Sequence, residues 1–273
     1  MAEMSVIWLR VAAALYSIGL LHAILTLVRR REHLFRVALG AFALGAVFHF
    51  VSIMEEGVVT GRCPIGGFFE TLSMCAFLLA VLYLGVQWRY KVESLSVFVF
   101  PLVFVMALVS TLAHPVAGFT NPLLRKTWLT VHIVLVLLGF AALTLTVGAS
   151  LLYLFQEREL KAKKPSKFYY RLPALGTLDE LIGRSMAVGF VLMTLAVIAA
   201  STWASIYLAA DWVSEPKIVI SFFTWGVYMA MVVLRTTVGW RGRKAAWMTV
   251  TVLGFSALTW AAHTHLGGLL PKQ

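Results

Sequence analysis

Long apolar runs recur along this chain at intervals too regular for a soluble core. They lie near 5–28, 37–55, 67–88, 95–113, 128–155, 185–209, 217–238 and 246–266. A helix that crosses the hydrocarbon of a bilayer needs about 20 apolar residues, so the pattern predicts about eight transmembrane spans. Lipid offers no partner to an open backbone, which makes helices the expected form. Composition agrees, since 60% of residues are hydrophobic, 13% are charged and the mean hydropathy is +0.87. The first run is longer than a signal-peptide core and is followed by no small-residue cleavage site, so it is read as a span. The expected fold is all-α, a polytopic membrane bundle over residues 1–273 as a single domain, with no separate soluble catalytic domain.

Orientation follows from the basic residues. Most of the 23 Lys and Arg fall in segments 29–36, 89–91, 158–184 and 235–244. Arg62, Arg125, Lys126, Lys217 and Lys272 lie in the alternate connections. Basic residues concentrate in short cytoplasmic loops, which predicts that both termini lie on the outer side. The net charge of +11 is then a topology signal plus contact with anionic headgroups of membrane lipid, with no nucleic-acid partner. Segment 156–184, the one sizeable polar stretch, suits an interfacial helix or loop on the inner leaflet.

Two cysteines, Cys63 and Cys75, provide neither a zinc set nor a CxxCH attachment site, and their separate depths argue against a disulfide. The histidines say more, because an imidazole in lipid is costly and has a partner. His49, His114, His132, His263 and His265 fall on the predicted outer side, from four different spans, whereas His22 and His33 lie toward the inner side. Interhelical hydrogen bonds would account for any one of them. Taken together they suit a haem iron held by one axial imidazole on each face. Arg62, Arg125, Lys126 and Lys217 are candidate partners for its propionates. Zinc is the competing metal, yet this outer layer has little Cys or carboxylate support for it. The segment from Trp203 through Asp211, Trp212, Glu215, Pro216, Lys217, Trp225 and Tyr228 carries aromatic rings suited to a flat porphyrin. An interfacial aromatic belt is the alternative explanation.

These residues bring in a family. Gly61 to Leu72 resembles the outer-loop pattern Gly-x-x-Pro-x-x-Asn-x-Tyr-Glu-Ser-Leu of the CcsA/CcmC-type haem-handling proteins of cytochrome c assembly, keeping the Gly, Pro, Glu and Leu. Trp128, His132 and Gly139-Phe140-Ala141-Ala142 resemble the helix that carries the first external haem-ligand histidine. Phe168 to Leu175, Leu178-Asp179 and Gly189-Phe190 are similar to the stretch before the tryptophan-rich signature. Within that signature Trp203, Ala204, Trp212, Pro216 and Lys217 match and Glu215 replaces Asp, while Leu208, Ser214 and Ile220 stand where tryptophans are usual. Val233 occupies a place where a membrane histidine is often found, and the usual His-Ser-Tyr ending is missing after His263 and His265. Within the family the chain resembles the HemX-like branch, with an eroded platform.

The resemblance implies non-covalent haem b, with His132 as one axial ligand, His263 or His265 as the other, and Trp203, Trp212 and Trp225 lining the ring. His49, paired with His114, would be the site for a haem deeper in the membrane. The implied role is to present haem at the outer face to a partner with a large outer-side domain, for attachment to apocytochrome c. Attachment chemistry would belong to the apocytochrome cysteines and that partner, so no catalytic residue is assigned. Two other functions stay open, a membrane regulator of glutamyl-tRNA reductase level in tetrapyrrole synthesis, and a b-haem-carrying anchor subunit of a respiratory complex. The carboxylates Glu70 and Glu215 are expected in salt bridges to Arg125, Lys126 or Lys217, or in a loop cap. Asp179 is expected to open an interfacial helix with a local ion pair to Arg184.

Overall fold

The computed structural model describes residues 2–29, 32–112, 127–162, 172–207, 212–214 and 216–269. They form eight α-helices, α1 (Ala2–Arg29), α2 (Glu32–Thr60), α3 (Phe68–Tyr90), α4 (Ser96–Ser110), α5 (Thr127–Ala162), α6 (Leu175–Tyr207), α7 (Pro216–Thr236) and α8 (Arg243–Leu269). Among the described residues seven of these, α1 to α7, are long and apolar enough to cross a membrane, α4 together with the 3₁₀ turn Glu93–Leu95 that precedes it. The protein is therefore an all-helical, multi-pass membrane protein.

The ends of α5 and α6 depart from the sequence reading. The polar stretch 156–184 is not a separate interfacial element over its described parts, because 156–162 continues α5 and 175–184 begins α6. Strong helix formers paired one turn apart carry both helices beyond their apolar runs, Glu157 with Lys161 at 2.6 Å and Glu180 with Arg184 at 2.7 Å. Residues 163–171 lie outside the described set.

Two compact units divide the chain. One comprises Met1–Thr130 with Gln156–Thr177, the other Val131–Phe155 with Leu178–Gln273. In the first unit, α1 to α4 each supply one fully buried aromatic ring, namely Tyr16, Phe42, Tyr83 and Phe100. Phe42 and Phe100 stack with centroids 4.0 Å apart, and Tyr83 stands edge-on to both at 5.6 and 5.4 Å. Tyr16 tilts against Phe42 at 5.0 Å. Offset and edge-on pairs add to the gain from burial itself, so the four rings fix the helices at one level.

In the second unit, Leu143, Met186, Tyr228, Met231 and Val252 form the core, drawn from α5, α6, α7 and α8. Close approach of α5, α6 and α7 depends on Gly189, where a Cβ would collide with the Tyr228 hydroxyl and sit 3.3 Å from the Ala142 side chain and 3.5 Å from the Gly139 carbonyl. Tyr228 fills that place and donates its hydroxyl to the Met186 carbonyl at 3.0 Å. At the other end of these helices Arg235 reaches Asp179, with Nη2 at 3.1 Å from Oδ2 and at 2.7 Å from the backbone carbonyl. Asp179 was expected to pair locally with Arg184. Its partner is instead a residue of α7, and Arg184 pairs with Glu180.

Candidate functional site

The second unit contains a cavity of about 290 Å³ where α5 enters and α6 gives way to α7. His132 and Phe140 of α5, Ala196 and Ala204 of α6, and Trp225 and Tyr228 of α7 are among the residues that line it. Its wall is chiefly apolar and aromatic, with an imidazole and a few hydroxyls, the usual make-up of a site for an apolar ligand with one fixed polar contact.

His132 is held in one tautomer. Its Nδ1 lies 2.8 Å from the Ala196 carbonyl oxygen, which can only accept, so Nδ1 carries the proton and donates. In the neutral ring the lone pair then resides on Nε2. A backbone carbonyl that fixes the tautomer and plane of an imidazole is the arrangement by which proteins prepare such a ring as a metal ligand. Two small residues keep α6 narrow beside it, Ala196 and Ala200, both in the cavity wall.

Trp225 is fixed on two sides. Its indole N–H donates to the Thr194 hydroxyl at 3.0 Å, and its ring stacks on Phe190 at 6.2 Å with planes 19° apart. Phe190 in turn meets Tyr228 edge-on at 5.6 Å. Neither Phe190 nor Thr194 was among the candidate site residues, although Phe190 stood in a stretch similar to the family pattern. Their role depends on α6 lying beside α7, which sequence spacing does not reveal. Thr194→Val is expected to leave the indole N–H without this acceptor and cost about 1 kcal/mol. The check is a lower thermal midpoint together with altered tryptophan emission. An unchanged spectrum would remove Thr194 from the support of the ring.

Of the other candidates, Trp203 is a half-buried residue of α6 and is not part of the cavity lining. Trp212 lies in a short 3₁₀ turn, Trp212–Ser214, and its side chain is outside the described set. His263 and His265 belong to α8, again with side chains outside that set, and His114 lies wholly outside it, as do Arg125, Lys126 and Glu215. Lys217 opens α7 but its side chain is likewise not described. The structure thus brings together His132 and Trp225 from the expected set. Among the described residues no three His, Cys, Asp or Glu side chains gather as a metal site.

The first unit holds His49, which is fully buried. Its Nδ1 lies 3.3 Å from the Tyr16 hydroxyl and its Nε2 2.9 Å from the Ser73 hydroxyl, so one imidazole ties α1, α2 and α3 together. Iron ligation there would require one of these bonds to be given up. Nearby, Arg62 was a candidate for binding propionates, and Glu70 was expected either to pair with Arg125, Lys126 or Lys217 or to sit in a loop cap. The second alternative holds, since Arg62 and Glu70 pair with each other by two parallel bonds of 2.7 Å and Glu70 also accepts from the Gly66 amide at 2.6 Å. This is a loop cap at the start of α3, and it commits the Arg62 fork that a carboxylate ligand would need. The Glu70 hydrogen bond raises the Arg62 pKa further above its usual value, and burial raises that of the adjacent Cys63 thiol. Cys63 is therefore a poor nucleophile near neutral pH.

Comparison with known proteins places this geometry. Residues 65–262 match the family described as Cytochrome C assembly protein, a stretch that includes every residue of the cavity wall. Cytochrome c biogenesis protein CcsA of Prochlorococcus marinus (strain MIT 9312) is 26% identical over 211 residues, covering 69% of this chain and 68% of that protein. CcsA of Heterosigma akashiwo (strain NIES-293 / 8280G21-1) is 24% identical over 220 residues, covering 68% of each chain. CcsA of Synechococcus sp. (strain RCC307) is 26% identical over 219 residues, covering 71% of this chain and 70% of that one. A match across most of the chain, centred on the helices that carry the imidazole and its aromatic neighbours, means that this protein belongs to the cytochrome c assembly family and is a CcsA-like membrane protein of cytochrome c biogenesis.

Proposed function

We propose that the chain holds non-covalent haem b at the cavity of its second unit and presents it at the outer face of a bacterial inner membrane. A partner with a large outer-side domain would then attach it to apocytochrome c. The observation that carries this reading is His132, a cavity-lining imidazole whose Nδ1 is committed to a carbonyl and whose Nε2 has the lone pair an iron requires. Phe140 and Trp225 offer the apolar and aromatic surface that a porphyrin face needs. A volume of about 290 Å³ lies just below the usual range of ligand pockets, roughly 300–1,000 Å³, so this cavity would enclose part of a macrocycle. When bound, the haem iron would be held by the His132 imidazole. The chain's own part is to orient the ring nitrogen, exclude water with an apolar wall and leave the attachment chemistry to others. His263 or His265 is the proposed second ligand. Under this reading both termini face outward, and reporter fusions in the 29–36 and 235–244 connections should report a cytoplasmic location.

The test is an absorption spectrum of the detergent-purified chain from a haem-replete host. Wild type is expected to show a Soret band. His132→Ala should lower haem retention by more than the roughly 10- to 100-fold that loss of a ligand's outer-shell partner costs, and His132→Gly should regain the band with added imidazole. A Soret band unaffected by either substitution would sink the assignment. No band in wild type would favour the regulatory role in tetrapyrrole synthesis.

A further inference from the structure

The turn between α7 and α8 carries a basic and aromatic patch that the haem-handling reading does not use. Arg241, Arg243 and Lys244 are all exposed, and Trp247, one turn further on, is 56% exposed. Lys244 Nζ stands 5.3 Å from the centre of the Trp240 ring. The sequence has no Asp or Glu after Glu215. Asp179, the carboxylate that reaches this turn, is committed to Arg235 and to the Gly242 amide. None of the three cations makes an ion pair among the described residues.

The patch sits on a fixed backbone. Gly239 and Gly242 take φ of +70° and +62°, a region that favours glycine. A Cβ on Gly242 would also meet the Tyr153 hydroxyl at 2.7 Å. Trp240 N–H donates to the Leu234 carbonyl at 3.1 Å, which closes the turn onto the last turn of α7. Charges that serve topology alone would do so equally well in a loose loop. Here Arg243 and Lys244 are also placed in the first turn of α8, where the helix dipole disfavours cations, so helix stability does not explain them.

We propose that this turn binds the headgroup of an anionic phospholipid. Lipid is the anion source that fits, because the candidate span of α7 ends at Thr236 and the patch follows it within a few residues, where a chain leaving the hydrocarbon meets the headgroups. Two features distinguish a lipid from free phosphate. The exposed indole of Trp247 is suited to the interface between headgroup and acyl chain, and Val238 beside the cations is 59% exposed.

Native mass spectrometry of the purified full chain, titrated with phosphatidylglycerol or phosphatidylcholine, tests the assignment. Wild type is expected to retain phosphatidylglycerol at least about tenfold more strongly, a lower bound for three juxtamembrane cations, and R241Q/R243Q/K244Q to bring the two lipids within about twofold. The control R89Q/K91Q should keep the preference. Equal loss in the control, no loss in the triple variant, or displacement of the lipid by millimolar inorganic phosphate would overturn the proposal. A second readout does not depend on the triple variant folding. In vesicles, brominated phosphatidylglycerol should quench wild-type tryptophan emission more than brominated phosphatidylcholine, and Trp247→Phe should remove the excess. Equal quenching by both lipids in wild type would also overturn it.

Discussion

Gly189→Val is expected to destroy the packing of the second unit, with a loss above about 3 kcal/mol and no monodisperse protein recovered in mild detergent. Overpacking costs about 1–3 kcal/mol when neighbours can shift, and here they cannot do so cheaply. The first carbon added meets the hydroxyl of Tyr228, with the Ala142 side chain and the Gly139 backbone closing the other sides. Tyr228 is itself pinned by its bond to the Met186 carbonyl and lies in the core with Leu143, Met231 and Val252. Gly189→Ala should show a graded form of the defect. Combining it with Tyr228→Phe should recover part of the loss, because the hydroxyl that blocks the new methyl is gone and the two changes share one contact. Wild-type thermal behaviour in Gly189→Val would show that α5, α6 and α7 do not meet as described. Since Tyr228 lines the cavity, Gly189→Ala should also weaken haem retention, provided the proposed function is right.

Arg235→Ala is expected to cost about 3 kcal/mol. The Arg235 and Asp179 side chains are only 11% and 20% exposed, so removal of the cation strands a carboxylate whose remaining described partner is the Gly242 amide at 3.4 Å. Loss of one member of a buried pair costs about 3–5 kcal/mol, whereas replacement of both can be nearly neutral; the residual exposure puts this pair at the lower end. Asp179→Asn with Arg235→Gln should therefore be more stable than Arg235→Ala alone. Thermal inactivation in detergent, read by gel filtration, gives the order. If Arg235→Ala and the double variant melt with wild type, the pair contributes nothing and the junction of α6, α7 and α8 is held by packing alone.

The architecture was largely legible in the sequence, because spans are written in runs of apolar residues and lipid leaves the backbone one ready solution. The centres of all eight runs fall within the eight helices. What spacing could not convey was partnership across helices. Asp179 read as a local pair with Arg184 because the two are near in sequence, yet α6 brings its carboxylate to a residue of α7. Glu70 had basic candidates in other loops, but its partner is Arg62, eight residues earlier, because the Gly-rich turn folds back on itself. His132 and Trp225 could be singled out as an imidazole and a ring of the right kind. Their settings on Ala196, Thr194 and Phe190 could not. Buried polar groups must find partners, but the rule does not name them.

The quartet of rings in the first unit limits how such a chain can change length. An α-helix advances about 100° per residue, so one residue inserted on one side of Tyr16, Phe42, Tyr83 or Phe100 would rotate the ring away from its neighbours or turn the lipid-facing side inward. Indels among relatives should therefore accumulate in the connecting segments, and a chimera of α1 to α4 should succeed only when its junctions preserve helical phase at all four positions.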